Sequence, residues 1–139
     1  MFDIEGALRE LVSKGGSDLH VKVESAPLFR VNGELTADSG DAVLTGEDTD
    51  GALRMLLRDE AKLDEFAHEH EVDFSFEVEN VARFRVNAFR QRGAVSMVCR
   101  AIPHKISTIE ELSLPEVITE LADELLDVFF YSFRLIIEN

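Results

Sequence analysis

Arginine residues recur between positions 72 and 103 at a spacing that suits the binding of an anion. Arg83 and Arg85 alternate with apolar residues in RFRVNAF, and Arg100 lies in the next extended run. A guanidinium group stays charged at any relevant pH and pairs bidentately with a phosphate or a carboxylate. The chemistry that this pattern predicts is therefore the recognition of an oxyanion.

Two consecutive β-hairpins are predicted to position these arginines. Apolar and polar residues alternate through the segment, so the apolar ones share one face of each strand. Matching the apolar faces pairs Phe76 with Phe84 and leaves residues 79–81 as the loop of the first hairpin. A tight turn at Arg92 and Gly93 then closes the second hairpin.

These registers place Glu77 opposite Arg83, and they place Arg85 opposite Arg100. Two like charges directly across a strand pair are unfavourable by a few tenths to about 1 kcal/mol. The pair of arginines therefore requires either a partner carboxylate or a bound anion. The chain has 28 acidic residues that could supply such a partner, so a structural salt bridge and a functional anion site both stay open at this point.

Composition and charge limit the class of protein. The chain has 139 residues and is 45% hydrophobic, which is enough for one domain with a packed core. Its net charge of -14 argues against a nucleic-acid binder, because a phosphate backbone demands a broad positive surface. The single cysteine, Cys99, excludes an internal disulfide and offers no metal-site spacing, and the alternation places it in the core.

No segment has the pattern of a signal peptide or a membrane span. The first fourteen residues are acidic with a helical period, and the apolar run from 125 to 137 is interrupted by Asp127, Ser132 and Arg134. We therefore expect a cytoplasmic protein without direct membrane insertion.

Helices and strands are predicted to mix in an α+β order. Residues 3–14 form an amphipathic helix ended by two glycines, and two further helices fill the stretch from 45 to 70. SDLHVKVE is typical of a strand, and LFRVNGELT is typical of a hairpin with Arg30 on its polar side. The fold class is therefore α+β, with an antiparallel sheet flanked by helices.

Other polar residues are expected to serve structure. Asp18 is predicted to cap the turn before its strand and His20 to be structural, because spacing pairs neither with a nucleophile or a second acid. His68 and His70 lie on different faces of a helix, which argues against a metal site. Asp73 is expected to join a salt bridge on the polar face of the hairpin.

Three stretches of the chain carry a resemblance to a known family: GGSDLHVKVESAPLFRVNGEL, EVDFSFEVENVARFRVNAFRQRGAV and RAIPHKISTIEELSLPEVI. In this order and spacing they resemble the N-terminal domain of the type IV pilus retraction ATPases, the PilT-like twitching motility proteins. The resemblance implies a PAS-like domain over residues 1–123, built on an antiparallel sheet flanked by helices.

The resemblance also implies partners. Members of this family continue into a RecA-like ATPase domain that uses ATP and Mg, and they form hexameric rings at the cytoplasmic face of the inner membrane. In such rings the N-terminal domain contacts the ATPase domains of its own and a neighbouring subunit, and the motor acts on a platform protein of the inner membrane. No nucleic acid is implied.

By the same resemblance, four arginines match arginine positions of the family motifs and are expected to contact nucleotide phosphates: Arg85, Arg100, Arg83 and Arg30. No glycine follows Gly93, so the phosphate-binding GxxxxGK[ST] loop is absent, as is the Walker B acid. The chain alone is therefore expected to have no catalytic residues, to hold no cofactor or metal, and not to hydrolyse ATP.

The apolar tail, residues 124–139, lies outside the resemblance. It follows a helix predicted to begin at Pro115. Exposure of its phenylalanines, leucines and isoleucines would favour self-association, so we expect a dimer of the chain. An alternative stays open, in which the chain is a free-standing PAS-like module that dimerises and binds a small ligand or a partner protein.

Overall fold

Six strands of the described residues form one antiparallel sheet. The computed structural model describes residues 1–37, 40, 42–103, 117, 120, 121 and 123–126. The strand order is β3-β2-β1-β6-β5-β4, which makes β1 and β6 neighbours in the middle. The strands are β1 (Asp18–Val21), β2 (Leu28–Val31), β3 (Glu34–Ala37), β4 (Glu71–Val78), β5 (Ala82–Gln91) and β6 (Ala94–Ile102). The predicted α+β class with an antiparallel sheet is confirmed.

The helices α1 (Ile4–Ser13), α2 (Gly46–Leu56) and α3 (Glu60–Glu69) each begin at a capping side chain. The Asp3 carboxylate accepts a hydrogen bond from the Gly6 backbone at 2.9 Å, which satisfies an amide that the helix itself leaves unpaired. Thr45 and Asp48 form a reciprocal capping box at the start of α2. Local sequence therefore fixes where these helices begin.

The core lies between the helices and one face of the sheet. Most of its largest fully buried side chains come from α1 and the four central strands, and α2 and β4 add Thr49 and Val72. They include Ile4, Leu8, Leu11, Leu19, Phe29, Phe84, Val86 and Met97. Cys99 belongs to this core as predicted, and burial raises the pKa of its thiol to about 12. The opposite face of the sheet, which we call the outer face, carries the polar half of each alternating strand.

Both predicted hairpin registers are confirmed. Phe76 lies opposite Phe84 in the first hairpin. In the second, Gln91 pairs with Ala94 across Arg92 and Gly93, whose φ values of 53° and 83° are those of a left-handed two-residue turn. The turn fixes which side chains of β5 and β6 share a face.

The described residues beyond 103 are helical and exposed, and they include Val117 and Leu121 of the predicted final helix. Pro115, where that helix is predicted to begin, and positions 127–139 of the tail lie outside the described residues. No helix in the described part of the chain is long and apolar enough to cross a membrane.

Candidate functional site

A row of charged residues crosses the outer face at the middle of the sheet. Arg30 of β2 lies opposite Asp18 of β1, Asp18 lies opposite Arg100 of β6, and Arg100 lies opposite Arg85 of β5. Adjacent strands are about 4.8 Å apart, so the row, which we call the arginine row, extends over roughly 15 Å. The predicted juxtaposition of Arg85 and Arg100 is confirmed, and the strand order adds Arg30 to it.

Asp18 is the shared partner of two arginines in this row. Its side chain is only 6% exposed, and Arg100 Nε donates to Oδ1 at 2.9 Å. Arg30 Nε lies 3.4 Å from Oδ2, which also accepts a hydrogen bond from Ser17 Oγ at 2.9 Å. The expected capping role of Asp18 is therefore wrong, because the pairing of β1 with both β2 and β6 delivers two guanidinium groups to its carboxylate.

The surroundings of Asp18 stabilise its charged form. Burial alone raises the pKa of the Asp18 carboxyl, but the hydrogen bonds from Arg100 and Ser17 outweigh that effect and hold the pKa below its usual value. Next to it on the outer face, burial and the positive charge of Arg30 lower the pKa of His20. These two effects favour the neutral form of the His20 imidazole.

Arg85 has a carboxylate partner of its own. Its Nε donates to Asp73 Oδ1 at 3.2 Å and its Nη2 to Oδ2 at 2.8 Å, which is a bidentate pair. These hydrogen bonds lower the pKa of Asp73 and raise that of Arg85. The residue opposite Asp73 is Asn87, which instead donates to Glu71 at 3.1 Å. The salt bridge expected for Asp73 thus forms, but along a diagonal.

Arg83 differs from the other three arginines. It lies between Glu77 and Ile102 in the register, and its side chain is exposed. Although Glu77 is opposite, as predicted, Arg83 forms no ion pair with any described residue. Its whole guanidinium group is thus available to a ligand.

The arrangement is suited to bind an oxyanion. Arg100 engages Asp18 through Nε, and its side chain is 71% exposed, so both terminal nitrogens face outward from that pair. Arg83 adds a second available fork, whereas Arg85 must first exchange Asp73 for a ligand. The described residues contain no group of three or more acidic, histidine or cysteine side chains that could hold a metal ion.

Sequence reasoning missed Asp18 and Ser17 as members of this site. The only available signal was their position in SDLH, a strand that alternates with the same period as the arginine hairpins. Which strand would pair with it was not encoded locally, so the partner of Arg100 could not be chosen from the 28 acidic residues.

Comparisons with known proteins identify relatives of the chain. No protein-family model matches it. It is 38% identical over 120 residues to the type IV pilus ATPase PilU of Pseudomonas aeruginosa. The matched region covers 86% of this chain and 31% of PilU. It is 37% identical over 121 residues to the pilus retraction ATPase PilT of the same organism, covering 87% of this chain and 35% of PilT. A twitching motility protein of Neisseria gonorrhoeae is 33% identical over 97 residues, covering 70% of this chain and 25% of that protein.

Solved structures of two ATPases are similar in fold to this chain. The pilus retraction motor PilT with bound ADP superposes with a TM-score of 0.74 at 28% identity, over 87% of this chain and 35% of that one. The ATPase DotB of Yersinia pseudotuberculosis has a TM-score of 0.71 at 20% identity, over 87% of this chain and 36% of that one, which shows a shared fold alone. The chain spans about a third of the length of the curated pilus ATPases it matches.

Proposed function

We propose a role in twitching motility for this chain, which belongs to the family of PilT-type pilus ATPases as a homologue of their N-terminal region. The role is that of a regulatory and packing domain in a pilus retraction motor. One observation carries the proposal: the arginine row lies on one face of the sheet. The row is part of a region, 87% of this chain, that is similar in sequence to PilT.

In this proposal the arginines form half of a nucleotide site. Arg83 and Arg100 contact phosphate oxygens directly, because their terminal nitrogens are available. Arg85 joins them when the phosphate displaces Asp73, while Arg30 helps to hold Asp18 in place. The phosphate-binding loop, ATP and Mg belong to the ATPase domain of the full-length protein, so this chain contributes charge and not hydrolysis.

The outer face also provides the packing surface of the proposal. It combines the arginine row with the partly buried apolar residues Leu28, Phe89 and Val98, a mixture that is typical of protein interfaces. We place it against the ATPase domains of the same and a neighbouring subunit in a homo-hexamer. Such a motor works at the cytoplasmic face of the inner membrane, where it acts on the platform protein of the pilus.

The first test is the reading frame that follows this chain. A GxxxxGK[ST] loop and a Walker B strand downstream are expected, and a frame that lacks both would remove the motor proposal. It would leave the free-standing PAS-like module, for which sedimentation of the isolated chain should then show a dimer.

The second test separates binding from stability in the full-length protein. Replacing Arg83→Gln is expected to reduce ATP turnover about tenfold, since it removes a charged hydrogen-bond donor from the phosphates. The control is Arg9→Gln on α1, an exposed arginine that changes the net charge equally and lies outside the arginine row. Equal turnover in both variants and the parent protein would contradict a role of Arg83 at the nucleotide.

A further inference from the structure

A polar depression lies at the far end of the β5–β6 hairpin from Arg83. Its volume is about 420 Å³, and its polar lining comes from Lys22, Glu24, Gln91, Arg92 and Ser96. Lys22 lies four residues beyond Asp18, and Ser96 lies four residues before Arg100, so at about 3.3 Å per residue roughly 13 Å separate the depression from the arginine row. The depression is therefore distinct from the arginine row.

Ser96 is the most informative residue of the depression. Its side chain belongs to the outer face of β6, opposite Phe89, and the residue is only 4% exposed. Its hydroxyl has no hydrogen bond to another described residue, and no buried side-chain oxygen of the described residues lacks a partner, so solvent reaches the hydroxyl in the depression that Ser96 lines. A hydroxyl that solvent reaches and that has no protein partner can donate a hydrogen bond to an oxyanion.

Two cations share the depression with this hydroxyl. Lys22 follows β1 and Arg92 occupies the β5–β6 turn, and both side chains are exposed. Neither forms an ion pair with a carboxylate of the described chain, although acidic residues outnumber basic ones by 28 to 14. Glu24 is the one acidic group in the lining, so the depression carries a positive balance in a protein of strongly negative charge.

Arg92 is held at this position by the turn. It adopts a φ of 53°, a left-handed conformation that asparagine or glycine adopts more readily than arginine. An asparagine at this position would suit the turn better and would lack the positive charge. The substitution Arg92→Asn therefore removes the positive charge and keeps the hairpin turn.

We propose that this depression binds a phosphate monoester, whose oxygens accept hydrogen bonds from the Lys22 ammonium, the Arg92 guanidinium and the Ser96 hydroxyl. The three donors line one depression that is large enough for such a group, and Arg92 supplies the planar fork that matches phosphate oxygens. The carboxylate of Glu24 in the same lining disfavours a highly charged ligand such as a nucleoside triphosphate. The site is independent of the nucleotide role proposed for the arginine row.

The test is an amide-resolved NMR titration of the whole chain at constant ionic strength. Its probes are inorganic phosphate, glycerol 3-phosphate, and phosphatidylcholine vesicles that contain phosphatidic acid. Saturable shifts are expected at Lys22, Arg92 and Ser96. Arg92→Asn and Lys22→Gln should each weaken the association about tenfold, whereas Arg9→Gln should leave it unchanged.

The probes also distinguish the source of the phosphate. Binding of glycerol 3-phosphate without enrichment on the vesicles assigns a soluble metabolite, and binding to the vesicles alone assigns a lipid headgroup. The proposal is overturned if none of the probes causes saturable shifts, or if Arg92→Asn and Lys22→Gln bind as tightly as Arg9→Gln. Because Arg92→Asn leaves the arginine row intact, this result does not depend on ATP turnover.

Discussion

Asp18 and Asp73 each hold an arginine of the outer face, but they lie in different parts of the sheet. Asp18 is in β1 at the middle, with a side chain 6% exposed, whereas Asp73 is in the edge strand β4 with a side chain 44% exposed. The nitrogen–oxygen distances are nearly equal, at 2.9 Å for Arg100 and 2.8 Å for Arg85. Distance alone therefore does not separate the two ion pairs.

The two ion pairs differ in their exposure to solvent. At the edge of the sheet, water and salt compete for both partners, and exposed pairs contribute about 0.2–1 kcal/mol to stability. In the middle, the Asp18 carboxylate has lost most of its water and depends on Arg100 and Ser17 for its hydrogen bonds and on Arg30 for a second ion pair. The contrast shows that ion pairs of similar length can differ in role: the pair at Asp18 supports the fold, whereas Arg85 can exchange Asp73 for another anion.

The largest effect is expected from Asp18→Asn. The variant should lower the free energy of unfolding by about 2 kcal/mol, because two charge-assisted hydrogen bonds are weakened and the remaining amide is nearly buried. Urea denaturation of the isolated chain measures this loss. A loss no greater than that of the edge variant Asp73→Asn would remove the distinction between the two carboxylates.

The pH dependence of stability sharpens the same contrast. Folding lowers the pKa of Asp18 from its ordinary value of 3.8, so the ionised carboxylate stabilises the folded chain fully when the pH is above 3.8. This stabilisation is lost as the pH falls from 3.8 through the lower pKa of the folded state. The difference in unfolding free energy between the parent chain and Asp18→Asn should therefore close in that acidic range. A difference that persists at lower pH would show that the asparagine acts by altered packing.

A smaller effect is expected from Asp73→Asn. The loss should stay below about 1 kcal/mol and shrink further as salt is added, because the pair is exposed on both sides. Urea midpoints at low and high salt measure it. A loss that does not respond to salt would place Asp73 with Asp18 as a structural residue, and would make release of Arg85 to a phosphate costly.

The smallest effect is expected from Arg83→Gln in the isolated chain. Arg83 is exposed and has no ion pair within the described residues, so the thermal unfolding midpoint should correspond to a change within about 0.5 kcal/mol. Differential scanning calorimetry measures it, with Arg9→Gln as the matched loss of charge. A clear loss of stability would mean that Arg83 serves the fold, and its proposed availability to a nucleotide would have to be abandoned.

Much of the sheet could be predicted from alternation alone. The pairing of Phe76 with Phe84 and the turn at Arg92 follow from matching apolar faces between neighbouring strands. The position of β1 between β2 and β6 could not be predicted in this way, because local pattern does not specify which distant strand will be adjacent. Asp18 was consequently assigned to a turn, although it is the centre of the arginine row.

The hairpins explain a second limit of the sequence. Register specifies which residues lie directly opposite each other, and the residue opposite Asp73 is Asn87. A long arginine side chain also reaches the diagonal position, where Arg85 finds both carboxylate oxygens. The length of the side chain, and not the strand pairing, decided this contact.

The meeting of β1 and β6 has a consequence for the order in which the domain folds. Arg100 and Asp18 are 82 positions apart, whereas both hairpins of β4, β5 and β6 close over short loops. Short loops lose less chain entropy on closure, so the hairpins are favoured to form first and the pairing of β1 with β6 to complete the sheet. The ion pair of Asp18 and Arg100 is then a late contact, so it lowers the rate of unfolding more than it raises the rate of folding.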